Sequence, residues 1–519
     1  MDSTTPLLRA TGVTKVFAGV TALDDVDFTV MPGQVMCLAG ENGCGKSTLV
    51  KVVSGVYLPE QGSVDVGGES IHLGRPRSAI DAGIQVIFQD LALFDHLSVE
   101  ENIAFSRMLA GRKRLTDRRA IRAIAEEQLE RIGIELDLRA PVASLSIANK
   151  QIVAICRALS MNARVLFMDE PTTALTSNEV DRLLAIVLDL KRRGLSVVFI
   201  SHKLDEVFKI ADTITILRDG VKVGDFEASS LDTDSLTLHM TGRSVKHSRY
   251  KRARSEDAPL LETRHLSRNG HYEDLSVGVR PGDVVGLTGL LGSGRTEFAL
   301  SLFGLNPPNS GQILCQGTPV SIDGPWDALA KGIALLPEDR KSQALFLSKS
   351  VEQNISSASL GTVVNKFGDI VERREHDLAQ KTVRALNVNN KDVSMIVGNL
   401  SGGNQQKVVI GKWMAAGPKV LILDSPTVGI DIGSKDEIYS SIRSLAGEGM
   451  GVIVISDEAE EIAAICNRAI VMHEGRVVEV FEEVDMRAAD FRDRLARVIA
   501  NPRSLGDLDG DGVPAERRV

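Results

Sequence analysis

Apolar residues in this chain gather into short runs. VMCLAG at 35–40, IQVIFQ at 84–89, VLFMDE at 165–170 and SVVFIS at 196–201 are each the length of one strand, and their apolar character predicts strands buried on both faces of a parallel sheet. Between them the pattern changes to helical spacing, as in RRAIRAIAEEQLERIG at 118–133 and REHDLAQKTVRALNV at 374–388. Strands alternating with helices imply an α/β core. The longest apolar stretches, such as VLILD at 420–424 and VVFI at 197–200, fall far short of the roughly 20 residues that a membrane-spanning helix needs.

The pattern is written twice. GQVMCLAGENGCGKST at 33–48 returns as GDVVGLTGLLGSGRTE at 282–297, VEENI at 99–103 as VEQNI at 351–355, LSIANKQIV at 145–153 as LSGGNQQKVV at 400–409, and VLFMDEPTTAL at 165–175 as VLILDSPTVGI at 420–430. The spacings agree: 43 residues separate Lys46 from Gln89 and Arg295 from Glu338, and 33 separate Asp169 from His202 and Asp424 from Asp457. The offset between copies grows from 249 to 252 to 255, so two three-residue insertions fall in the middle segment. The chain reads as two homologous domains, 7–243 and 259–500, with helical insertions at 89–145 and 338–400. A basic linker at 244–258 joins them, and an acidic tail at 501–519 is expected to be disordered, its DLDGDG matching only the start of a calcium loop.

Composition narrows the class. Of 519 residues, 43% are hydrophobic and only 4% aromatic, so the cores should be built from Val, Ile, Leu and Ala. Five cysteines without CxxC spacing exclude a disulfide framework and an obvious zinc or iron–sulfur site. The net charge of −9 gives no reason to expect nucleic-acid binding over the whole surface. The N-terminus lacks the basic start and apolar run of a signal peptide, and the scattered cysteines make a reducing cytosol the expected setting.

The chemistry concentrates after the first strand of each copy. Gly40-Glu41-Asn42-Gly43-Cys44-Gly45-Lys46-Ser47, followed by Thr48, satisfies G-x-x-x-x-G-K-[ST] between a strand and a helix. The glycines let backbone N–H groups curl around phosphate oxygens at a helix N-terminus, Lys46 supplies a point charge and the Ser47 hydroxyl can ligate Mg²⁺. Cys44 at that N-terminus is a candidate for a lowered thiol pKa or a small loop filler. VLFMDE places two carboxylates at the C-terminal end of a buried strand: Asp169 to hold Mg²⁺ through water and Glu170 to polarise the attacking water.

These motifs resemble the ATP-binding subunits of ABC transporters, and the resemblance covers about residues 7–243 and 259–500. It implies two tandem P-loop NTPase domains, each with a helical subdomain, using ATP and Mg²⁺. Gln89 looks like the family's γ-phosphate-sensing glutamine and a metal contact, and His202 like its switch histidine. Phe17 sits where an aromatic stacks on adenine, or is a core residue. Ser401, Gly402 and Gly403 in LSGGNQQ resemble the signature loop that caps ATP held by the opposite domain, which implies intramolecular pairing of the two domains. GLLGSGRTE, PEDRK at 337–341 and LSGGNQQK resemble more narrowly the ATPases of ribose, galactose and xylose importers. That implies separate permease subunits, docked around 90–103 and 339–355, an extracytoplasmic solute-binding protein, and a peripheral place on the cytoplasmic face of the membrane. The alternative is a soluble tandem ATPase acting on ribosomes or DNA.

The second copy departs from the pattern. Gly289, Gly294, Arg295 and Thr296 keep a phosphate-binding shape with Arg in place of Lys, but Glu338, Ser425 and Asp457 replace Gln89, Glu170 and His202. The first copy keeps those groups but carries Ser146-Ile147-Ala148 in place of the signature glycines. Under the resemblance the losses collect in one composite site, leaving one competent and one degenerate.

Overall fold

The computed structural model describes residues 5–17, 19–110, 117–172, 175–201, 203–242, 250, 258–388, 392–430, 432–488 and 490–502. His202 and nearly all of the expected linker and tail lie outside the described residues. The chain divides into two compact units, residues 1–245 and 246–519. No helix among the described residues is long and apolar enough to cross a membrane.

In the first unit, six strands run in the order Val221–Glu227, Thr213–Arg218, Val35–Ala39, Ser196–Ile200, Val165–Asp169, Ile84–Ile87. All neighbours are parallel except the first two, which form an antiparallel hairpin. Every residue of Val35–Ala39 and Ser196–Ile200 is buried, as coverage of both sheet faces requires. The carboxyl ends of these parallel strands share one edge, where ligands of such sheets bind.

A second, antiparallel sheet orders Val20–Val30, Leu8–Phe17, Gln61–Val66 and Glu69–Ser70. Phe28 from this sheet meets Phe167 of the parallel sheet at 6.3 Å between ring centroids. Leu49, Val50 and Val53 of helix Lys46–Val53 enter the same core, so the two sheets fix that helix. Helices Val99–Ala110, Arg118–Ile132 and Ile147–Ser160 pack together as the helical subdomain. The middle one matches its expected span: Asp117 accepts the N–H groups of Arg119 and Ala120, and Gly133 closes the far end at φ 68°.

The second unit repeats the plan with strands Ile333–Leu336, Val420–Asp424, Gly451–Ile455, Val284–Gly289, Arg468–His473 and Arg476–Phe481, only the last pair antiparallel. Its helix Glu372–Ala385 stops short of the expected 388, because Asn387 turns to φ 47°. The strand expected over 84–89 likewise ends at Ile87, which releases Gln89 from the sheet.

Candidate active site

In the first unit the loop 40–45 joins central strand Val35–Ala39 to helix Lys46–Val53. Gly40 and Gly45 have φ of 151° and 105°. A Cβ at Gly40 would lie 2.3 Å from the Leu217 carbonyl oxygen, and one at Gly45 2.6 Å from that of Ala22, so neither position admits a side chain. The Lys46 ammonium is buried and donates to the carbonyls of Gly40 at 2.7 Å and Glu41 at 2.8 Å. It therefore crosses the mouth of its own loop, beside the first amides of the helix, where the dipole attracts anions.

Cys44 corrects the suggestion of a reactive thiol. Its sulfur lies 3.8 Å from the Lys46 ammonium, yet burial dominates and pushes its pKa up.

Two strands away, Asp169 ends Val165–Asp169 and Glu170 follows at φ 48°, its N–H donating to Ile200 at 2.9 Å. Burial first, and the Glu170 charge second, raise the pKa of Asp169, while Lys46 and Lys51 oppose them. Ser47 and Gln89 are exposed on this edge. A hydroxyl, a carboxylate and an amide are hard oxygen donors of the kind Mg²⁺ takes, and a cation here would offset the charge that raises Asp169. Among the described residues no three His, Cys, Asp or Glu side chains cluster as a metal cage. Phe17 is 38% exposed, edge-on to Tyr57 at 5.3 Å with the Lys15 ammonium 5.1 Å from its ring, so it is not a core residue.

The second unit builds the same loop with different chemistry. Gly289 and Gly294 have φ of 149° and 91°, and Gly294 caps helix Arg295–Leu302. Burial pushes the Arg295 guanidinium pKa down, while Asp457, Asp424, Glu297 and Glu338 push it back up. Four carboxylates thus act on the Arg295 charge. Thr296 Oγ1 donates to Asp424 at 2.8 Å and Ser425 Oγ to its other oxygen at 3.2 Å, whereas no Ser47–Asp169 bond forms among the described residues. A cavity of about 810 Å³ adjoins this edge, running from Thr296, Glu338 and Asp424 to Phe303, Lys412 and Trp413.

Each unit also presents a serine at a helix start. Ser146 caps Ile147–Ser160 and Ser401 caps Gly402–Ala416, each accepting the N–H three residues on. A Cβ at Gly403 would lie 2.6 Å from Ser434; in the first unit Ile147, the counterpart of Gly402, is 53% exposed. The sequence pattern does not single out buried Glu206, whose one signal is its return as Glu461 at the 255-residue offset.

A family profile described as ABC transporter matches residues 23–173 and 272–428. A ribose import ATP-binding protein of Rubrobacter xylanophilus is 46% identical over 478 residues, 91% of each chain. One of Agrobacterium fabrum is 44% identical over 484 residues, 93% of this chain and 95% of the relative. Among solved structures, the ADP conformation of an ATP-binding cassette of an ABC transporter is similar at 25% identity and a TM-score of 0.43, over 46% of this chain and 100% of that one.

Proposed function

The chain belongs to the ABC transporter family, and from that premise we propose that it is the ATP-hydrolysing subunit of an importer carrying a sugar or sugar-like solute through separate membrane subunits. Relatives named for ribose import, and others named for ribose/galactose/methyl galactoside import, favour a monosaccharide or a similar ring. They also speak against the ribosome- or DNA-directed alternative.

One observation carries the mechanism: the first unit alone combines Lys46 in the loop mouth with an acid pair, Asp169 and Glu170, on the same sheet edge. ATP would lay its phosphates on the amides of loop 40–45 and helix residues 46–48, with its adenine against Phe17. Lys46 would then exchange the Gly40 and Glu41 carbonyls for phosphate oxygens. Glu170 would orient and polarise the attacking water, with His202 and Gln89 contacting the γ-phosphate side. Ser47, Gln89 and Asp169 would hold Mg²⁺, which when bound neutralises charge developing on the phosphates. Ser401, Gly402 and Gly403 are proposed as ATP-capping residues on their resemblance alone.

In the second unit Ser425 has no carboxylate to polarise water, and Glu338 and Asp457 add negative charge where phosphate would sit. We assign hydrolysis to the first unit and at most nucleotide holding by Gly289, Gly294, Arg295 and Thr296 to the second. Permease segments are proposed to dock beside 90–103 and 339–355, where exposed Phe94 and Phe346 offer apolar anchors. An extracytoplasmic solute-binding protein would select the solute, and the chain would sit on the cytoplasmic face through the permease.

Glu170→Gln tests the central assignment. ATP binding should persist while steady-state hydrolysis falls by about 10²-fold or more. Substantial residual turnover would remove Glu170 from the mechanism.

A further inference from the structure

Glu206 lies on helix Leu204–Ile210 and is 5% exposed. Its Oε2 accepts two hydroxyls, Thr172 Oγ1 at 2.6 Å and Ser201 Oγ at 3.0 Å. Ser201 Oγ in turn accepts the Lys203 N–H at 3.0 Å. Thr172 stands two residues beyond Glu170, and Ser201 and Lys203 flank His202 in the chain. A single buried carboxylate oxygen therefore ties together the two segments that carry the proposed water-polarising and switch residues.

We propose that Glu206 is a positioning residue for ATP hydrolysis, holding the Glu170 segment and the His202 segment in one fixed relation. The proposal rests on the roles assigned above to those two residues. Its physical basis is twofold. Hydrogen bonds to a buried carboxylate are short and strong, and an unmet partner there is costly. Glu170 also occupies the left-handed region at φ 48°, a conformation its surroundings must enforce. Its N–H to Ile200 holds it on one side, and the Thr172–Glu206 bond holds the loop on the other.

The second unit supplies an internal control. Glu461, 3% exposed, accepts Thr427 Oγ1 at 2.8 Å and is also bonded to the Ser456 hydroxyl. The same tie is therefore kept where Ser425 and Asp457 leave nothing catalytic to position. Its electrostatics differ as well. Lys203 lies 3.5 Å from Glu206, whereas the corresponding Glu458 faces Glu461 and is itself held by Lys435 at 2.8 Å.

The test uses the full-length chain. Glu206→Gln should lower kcat for ATP by about 10–100-fold with KM within about twofold, and Glu461→Gln should leave kcat within about twofold. Added to His202→Ala, Glu206→Gln should cost much less than it does alone, because both changes disable one unit. Equal losses in Glu206→Gln and Glu461→Gln, or a loss that multiplies fully with His202→Ala, would mark the tie as merely structural and overturn the proposal. If Glu206→Gln does not fold, Ser201→Ala removes one arm of the tie, and the same two results decide. Normal turnover in Glu206→Gln beside an inactive Glu170→Gln sinks the positioning role alone. Normal turnover in Glu170→Gln sinks the site reading on which it rests.

Discussion

Glu170 and Ser425 occupy the same backbone: φ is 48° and 49°, and each N–H donates at 2.9 Å to the last residue of the neighbouring strand. The strained geometry is therefore retained where the carboxylate is lost, and the difference between the units is one of side-chain chemistry. Putting the carboxylate back should not restore function. A Glu at 425 would add charge beside Asp424, where Glu338 already opposes ionisation and Arg295 already interacts with Asp424, Glu338 and Asp457. In a Glu170→Gln background, Ser425→Glu is expected to stay inactive in single-turnover hydrolysis, within about twofold of the parent. Recovered turnover would show that Ser425 alone disables the second unit. Much at this scale was legible in the sequence, because Lys46, Asp169 and Glu170 are set by a fixed spacing. The Thr296–Asp424 bond and the fate of Cys44 were not. The first depends on side-chain reach, and the second on burial outweighing a neighbouring ammonium.

At the scale of elements, the glycine pair opening helix Gly402–Ala416 has a packing role that its motif does not express. A Cβ at Gly403 would come within 2.6 Å of the Cβ and hydroxyl of Ser434 on helix Ile432–Gly447, whereas the sole close approach of one at Gly402 is to the end of the flexible Arg340 side chain at 2.9 Å, with the Gly429 carbonyl oxygen at an ordinary 3.5 Å. Gly403→Ala should therefore destabilise the second unit by about 1–3 kcal/mol, and Gly402→Ala by clearly less, in chemical denaturation followed by tryptophan fluorescence. Equal effects would mean that the two helices yield at no cost. The parallel strands were readable because runs such as VLILD are apolar on both faces. The antiparallel sheets were not. Leu8–Phe17 pairs with Val20–Val30 through register shifts after Ala10, Val13 and Lys15, and these interrupt the alternation that would announce a strand.

Across the whole molecule, one fold serves two electrostatic regimes, and the difference extends to stability. Burial and the charge of Glu458 raise the Glu461 pKa from 4.5 to about 7. A carboxyl raised on folding stabilises the native state while protonated, fully so below its unfolded pKa, and that contribution is lost as pH rises through the folded value. The second unit should therefore lose about 1 kcal/mol between about pH 6 and about pH 8 from this group, lowering its melting temperature by a few degrees. Both tryptophans of the chain, Trp326 and Trp413, lie in the second unit, so indole fluorescence reports its unfolding alone. Glu461→Gln removes the titration without removing the Thr427 partner. It should flatten the pH dependence of that transition and raise its midpoint at the alkaline end. A variant that tracks the parent at both pH values would show that Glu461 keeps its proton, or loses it, without cost to the fold. The first unit, with Lys203 where the second has Glu458, offers no tryptophan signal, so the measurement isolates the half of the chain whose chemistry has diverged.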